Sequence, residues 1–151
     1  MIRQVIIVSI MCAMINLSIA KETNVSDNQT FFENYSAQDG VAHTDSGLYY
    51  KVIQKGDGSV SPTPTQTVTV HYEGKLPSGD VFDSSYKRGT PAKFGLNQVI
   101  AGWTEGLQLM HVGDVYELAI PSQLAYGPNG IPGVIPGNSP LIFKVELLDI
   151  Q

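Results

Sequence analysis

After residue 46 apolar and polar positions alternate along most of the chain, a period of two that predicts half-buried strands. Leu48-Tyr49-Tyr50-Lys51-Val52-Ile53 is rich in β-formers and runs into Gly56-Asp57-Gly58, which reads as a hairpin turn. Ser61-Pro62-Thr63-Pro64 is a proline-stiffened loop. Val68, Val70 and Tyr72 then alternate with Thr69 and His71 on a strand reaching Leu76, and Pro77-Ser78-Gly79-Asp80 turns it towards Val81-Phe82. The period changes to helical once, from Ala101 to Met110, with Trp103, Leu107 and Met110 on one face. Val115–Ile120 is strand again, a Gly- and Pro-rich loop covers Gly127–Pro140, and Leu141–Ile150 closes the chain as a strand. Many antiparallel strands and one short helix predict an α+β domain, a sheet packed on a single helix. Val52, Val70, Leu107 and Leu118 are expected in its core.

The first 45 residues follow neither period for long. Arg3 and an almost continuous apolar run from Val5 to Ile15 precede Ser18-Ile19-Ala20, the layout of a secretory signal peptide over residues 1–20. A membrane span needs about 20 apolar residues, and Asn16 interrupts this run too early. Met11 is too bulky for a lipid-anchoring site at Cys12. Residues 21–45 form a polar extension in which Phe31, Phe32 and Tyr35 make a short apolar stripe. That stripe suits either one or two helical turns or a disordered leader. Asn24, Asn28 and Asn34 each start an Asn-x-Ser/Thr triplet, a pattern common by chance in such segments. The domain itself is expected over residues 46–151.

Composition narrows the function classes. The 151 residues suffice for one ordinary domain. The formal charge of −5 becomes one unit more negative when Arg3 leaves with the leader, and the nine Lys and Arg are scattered, only Lys87 and Arg88 being adjacent. Nothing here offers nucleic acid an electrostatic footprint. The single cysteine also lies in the leader, so a disulfide staple is not expected and stability must come from the core. Beyond the leader no second apolar span occurs. His43, His71 and His111 lack metal-ligand spacing, so no metal or cofactor is expected. Ser84 and Ser85 lack the Gly-x-Ser-x-Gly elbow of a hydrolase.

Candidate chemistry gathers where predicted elements meet. Val81-Phe82-Asp83-Ser84-Ser85, Gln98–Trp103 and Ala125-Tyr126-Gly127 put the only Trp, one carboxylate and several aromatics at junctions of strands, helix and loop. Such residues line a small apolar pocket with few polar groups. The ordinary alternatives are that the aromatics fill the core and that Asp83 is a turn or cap residue.

These motifs, with His71-Tyr72-Glu73-Gly74, Ile131-Pro132-Gly133-Val134-Ile135-Pro136 and Phe143–Leu148, stand in the order and approximate spacing of a known family. From Ser46 to Gln151 the chain resembles the FKBP-type peptidyl-prolyl isomerases, the immunophilins that bind tacrolimus and rapamycin. Upstream, Phe31–Asn34, Gly40-Val41 and Ser46–Val52 resemble the junction in secreted bacterial members similar to the macrophage infectivity potentiator. There a long helix from a dimerisation domain enters the isomerase domain. Only the end of that helix fits behind the leader, which predicts a monomer.

The resemblance implies a twisted antiparallel β-sheet wrapped around one short α-helix, and an isomerase that needs no cofactor and acts on proline-containing polypeptides in the periplasm or beyond. It places catalytic roles on Tyr72, Phe82, Asp83, Ile100, Trp103, Tyr126 and Phe143. Trp103 would floor the pocket, Ile100 offer its backbone N–H and Tyr126 its hydroxyl. Val99, Arg88 and the overhanging Ile131, Val134 and Ile135 would bind substrate. Ala92 departs from the bulky aromatic of many eukaryotic members, which opens one wall and bears on the tightness of a macrolide ligand. A binding module that holds proline-bearing or apolar segments without turnover is the alternative, and an exported factor acting on host proteins is a third reading.

Overall fold

The computed structural model describes residues 27–151. The expected signal peptide and the start of the extension lie outside the described residues. The described residues fall into two units, one ending at Asn34 and one running from Tyr35 to Gln151. Residues 27–36 are helical (α1). Within the first unit Phe31 and Phe32 meet edge to face at 5.0 Å, and Gln29 donates to Glu33 one turn on at 3.3 Å.

The second unit is a seven-stranded antiparallel sheet. Its strands are β1 (Val41–His43), β2 (Tyr49–Gln54), β3 (Thr67–Lys75), β4 (Val81–Ser84), β5 (Ala92–Gly95), β6 (Val115–Ile120) and β7 (Leu141–Ile150). The order is β1-β2-β6-β7-β3-β4, with β5 also on β3. Long β3 is shared: its residues 67–70 pair with β5 and its residues 73–75 with β4 on one edge, while β7 runs along the other. Two helices follow β4, the single turn α2 (Ser85–Arg88) and α3 (Ala101–Gln108).

The sheet packs its inner face on α3. Val68, Val70 and Tyr72 of β3, Leu118 and Ile120 of β6, and Phe143, Val145 and Leu147 of β7 are buried with Trp103, Leu107 and Met110. The helix can lie this close because Gly102 and Gly106, one turn apart, face the sheet. A Cβ at Gly102 would stand 2.5 Å from Ile120 Cγ2, and one at Gly106 2.7 Å from Leu118 Cδ1. Two glycines weaken a helix by about 1 kcal/mol each, so close packing outweighs intrinsic preference here.

Several expectations need correction. Gly56-Asp57-Gly58 is not a hairpin turn, because β2 and β3 lie three places apart in the sheet. The segment instead passes against Val112-Gly113, close enough that a side chain on Gly56 would strike the Gly113 backbone. Gly58 N–H donates to Val112 O at 3.2 Å, and Gly56 N–H to the fully buried Asp114 carboxylate at 2.7 Å. Val52 is 43% exposed rather than buried, because the pairing with β6 shifts at a bulge between Val52 and Gln54. Helix α3 ends at Gln108, two residues short of Met110. β1, β5 and α2 were not foreseen, and β1 places the start of the sheet upstream of Ser46.

Candidate functional site

A cavity of about 500 Å³ opens where β3, β4, β5 and β7 meet the start of α3. Tyr72, Phe82, Asp83, Val99, Ile100, Trp103, Tyr126 and Phe143 all line it. The expected floor and walls therefore come together in one place. Phe94, Gln98 and Ala125 line it too.

The aromatic wall is built around Trp103, whose ring stands nearly perpendicular to Tyr72 at 5.2 Å, Phe143 at 5.3 Å and Phe94 at 5.5 Å. These are edge-to-face contacts, favoured by the ring quadrupoles. Phe82 meets Phe143 at 5.6 Å and 89° across the space above Gly74. A Cβ on Gly74 would fall 2.6 Å from Phe82 and 2.7 Å from Phe143. That glycine therefore makes room for the two rings.

Polar groups in the cavity fall into two sets. Among the described residues Asp83 is the only carboxylate lining it, and both of its oxygens accept a hydrogen bond. The Tyr72 hydroxyl donates to its Oδ2 at 2.6 Å, and Arg88 Nη1 to its Oδ1 at 2.5 Å. Arg88 Nη2 also reaches the Tyr72 hydroxyl at 3.0 Å, with the guanidinium 5.6 Å from the Tyr72 ring centre. Burial opposes the charge on Asp83, but the Tyr72 hydroxyl and Arg88 outweigh it and hold the carboxyl below its ordinary value. Burial, and then the neighbouring carboxylate, raise the Tyr72 hydroxyl. Arg88 thus sits beside the cavity lining as the partner of Asp83.

The second set consists of donors with nothing to donate to. Trp103 Nε1 is buried without a hydrogen-bond acceptor among the described residues. Ile100 precedes the first turn of α3, and its N–H finds no acceptor among the described residues. Tyr126 is 40% exposed at the rim, its hydroxyl bonded to no described residue.

The loop after Tyr126 departs from the expected overhang. Ile131, Val134 and Ile135 do not line the cavity. Ile135 is buried in the core, Ile131 packs against that core, and Val134 is exposed. An Ile131–Ile135 bridge folds the loop on itself, with Ile131 N–H donating to Ile135 O at 2.9 Å. Ala92 is half-buried outside the lining. Two residues along β5, Phe94 supplies an aromatic ring to the cavity instead. Phe94 was missed because Gly89-Thr90-Pro91 hides a four-residue strand, and Gln98 because a lone glutamine carries no signal. Among the described residues no group of three or more His, Cys, Asp or Glu could hold a metal ion.

Comparison with known proteins agrees with this architecture. Residues 58–148 match the family model described as FKBP-type peptidyl-prolyl cis-trans isomerase. Residues 11–52 match the one described as the domain amino terminal to it. The chain belongs to the FKBP-type peptidyl-prolyl cis-trans isomerase family. It is 49% identical over 128 residues to the peptidyl-prolyl cis-trans isomerase Mip of Coxiella burnetii, covering 85% of this chain and 55% of that protein. It is 44% identical over 130 residues to the outer membrane protein MIP of Legionella longbeachae, covering 86% and 55%. The crystal structure of FkpA from Escherichia coli superposes with a TM-score of 0.81 at 41% identity, covering 90% of this chain and 64% of that one. The chain therefore spans little more than half the length of the two Mip relatives.

Proposed function

We propose that this chain is a peptidyl-prolyl cis-trans isomerase that turns over X–Pro bonds of polypeptides without a covalent step. Rotation about such a bond crosses a barrier of about 18–20 kcal/mol, because the twisted amide loses its resonance. The twisted amide is also less dipolar than the planar one. A cavity walled by Tyr72, Phe82, Phe94, Trp103 and Phe143 disfavours the planar form more, which is the differential binding that accelerates a reaction. Ile100 N–H and the Tyr126 hydroxyl supply donors for carbonyls of the bound peptide. Each factor of ten in rate needs only about 1.4 kcal/mol.

The observation that carries this reading is the division of polar groups. The one carboxylate is neutralised internally by Tyr72 and Arg88, while free donors remain at the helix start and rim. That arrangement suits holding a neutral amide in a dry pocket. Mature protein is expected to accelerate a proline-limited refolding reaction at substoichiometric amounts. Acceleration only at concentrations equal to the substrate would favour the holding module instead.

The finer readings are part of the same proposal. The apolar run of residues 5–15, and the relative named an outer membrane protein, support export to the periplasm or beyond. Among the described residues no helix is long and apolar enough to cross a membrane. The aromatic cavity, completed by Phe94 rather than by Ala92, supports binding of a tacrolimus-like macrolide. The core carried by residues 35–151 supports action as a monomer.

A further inference from the structure

The two partner strands on the outer edge of β3 leave a gap. β5 takes residues 67–70 and β4 takes residues 73–75, so His71 and Tyr72 have no strand beside them there. A buried backbone edge without partners is costly. One side chain fills the gap. Ser85, the first residue of α2, is completely buried. Its Oγ lies 2.7 Å from Tyr72 N, 3.2 Å from Tyr72 O and 2.9 Å from His71 Nδ1. A hydroxyl has one proton and two lone pairs. All three contacts are hydrogen bonds at once only when Ser85 accepts from Tyr72 N–H and from a protonated Nδ1 of His71, and donates to Tyr72 O.

We infer that Ser85 is a positioning residue of the isomerase site, a clamp that sets the Tyr72 hydroxyl against Asp83. The inference rests on the isomerase reading above. The geometry gives the clamp both ends of that contact. Through its hydroxyl Ser85 fixes the backbone of Tyr72, which stands in the gap. Through the chain it is two residues from Asp83, the penultimate residue of the strand leading into α2. Ser84, between them, accepts from Lys87 N–H at 3.3 Å and so starts the helical turn at a fixed place. Loss of the Ser85 hydroxyl leaves the Tyr72 N–H without its acceptor and frees the Tyr72 backbone to shift relative to Asp83. The cost then appears in the alignment of the 2.6 Å Tyr72–Asp83 bond and of the Tyr72 ring against Trp103.

The test is a double-mutant cycle on full-length protein, with X–Pro peptide turnover measured at a temperature where circular dichroism shows every variant folded. Ser85→Ala is expected to lower kcat/KM by about tenfold, the scale set by one buried donor left unpaired. In a Tyr72→Phe background the same change is expected to cost less than about twofold, because the hydroxyl it positions is already gone. Equal losses in the two backgrounds would overturn the inference, since a general structural role is blind to the Tyr72 hydroxyl. Should Ser85→Ala fail to fold, Ser85→Cys keeps the gap filled with a weaker hydrogen-bonding group and carries the same expectation. A readout independent of turnover is amide exchange. In the serine variant the Tyr72 amide should exchange about tenfold faster, while those of Val70 and Gly74 hold their rates. An unchanged Tyr72 amide would refute the clamp. An inactive wild-type protein would refute the isomerase reading instead, leaving the amide measurement to judge the clamp.

Discussion

Asp83 and Trp103 line the same cavity yet bear on the molecule differently. The Asp83 side chain is 40% exposed and its partner Arg88 50%, and ion pairs so open to solvent add little to stability. Asp83→Ala is therefore expected to lower turnover while moving the melting temperature by only a few degrees. Trp103 is nearly buried among three rings, and truncating such an aromatic costs about 3–5 kcal/mol. Trp103→Ala should lose activity and melting temperature together. Thermal denaturation beside a peptide assay decides it, and equal destabilisation by both changes would contradict this division. Asp83 and Trp103 were legible in the sequence because each sits in a short motif at an element junction. Ser85 was weighed only as a nucleophile and set aside. Its work is to stand in for a missing strand, and that depends on the partners β3 acquires from distant segments, which no local pattern encodes.

At the level of elements, α3 was legible because Trp103, Leu107 and Met110 repeat at helical spacing, and its glycines say how tightly it packs. Gly102→Ala would drive a Cβ into the branched Ile120, where atoms close to the backbone cannot move aside. Gly106→Ala meets the far end of Leu118, which can rotate. Both changes gain helix propensity, about 1 kcal/mol. Gly102→Ala should nonetheless destabilise, by roughly 1–3 kcal/mol of overpacking, and should disturb activity through adjacent Trp103. Gly106→Ala should be close to neutral. Urea denaturation of the two variants tests the ranking, and the reverse order would mean the helix approaches the sheet differently. The strands β1 and β5 and the single turn α2 were not legible, since three or four residues carry too little periodicity. The apolar residues of the Gly127–Pro140 loop misled for another reason. Ile131 and Ile135 are apolar because the loop packs on itself and on the core, a demand that looks the same in sequence as a binding surface.

For the molecule as a whole, the hairpin expected at Gly56–Gly58 is replaced by a junction between two distant links. Asp114, wholly buried, receives Gly56 N–H at 2.7 Å and His111 N–H at 3.0 Å, with His111 Nδ1 at 3.5 Å. Burial opposes its charge, but the two backbone donors, nearby Lys55 and His111 outweigh burial and hold the carboxyl below 3.8. A carboxyl whose folded value is depressed stabilises the protein above its unfolded value, about pH 4, and loses that contribution as pH falls through the folded value. Asp114→Asn should lower the melting temperature at pH 7 by roughly 5–15 °C, the scale of a buried donor left facing an amide. It should also flatten the fall in melting temperature below pH 4. An acid limb as steep as in the parent would place the sensitive group elsewhere. The partners of this junction are 58 residues apart along the chain, and contacts of such range are slow to be found by a folding chain. A junction completed only after the rate-limiting step of folding acts on escape rather than on assembly, so the asparagine variant is expected to unfold faster while refolding at nearly the parental rate. With those rates the crossing of two loops at the end of the sheet is a brake on unfolding. Where cleavage outpaces reclosing, such a brake sets how long each folded copy survives among proteases rather than how quickly it is made.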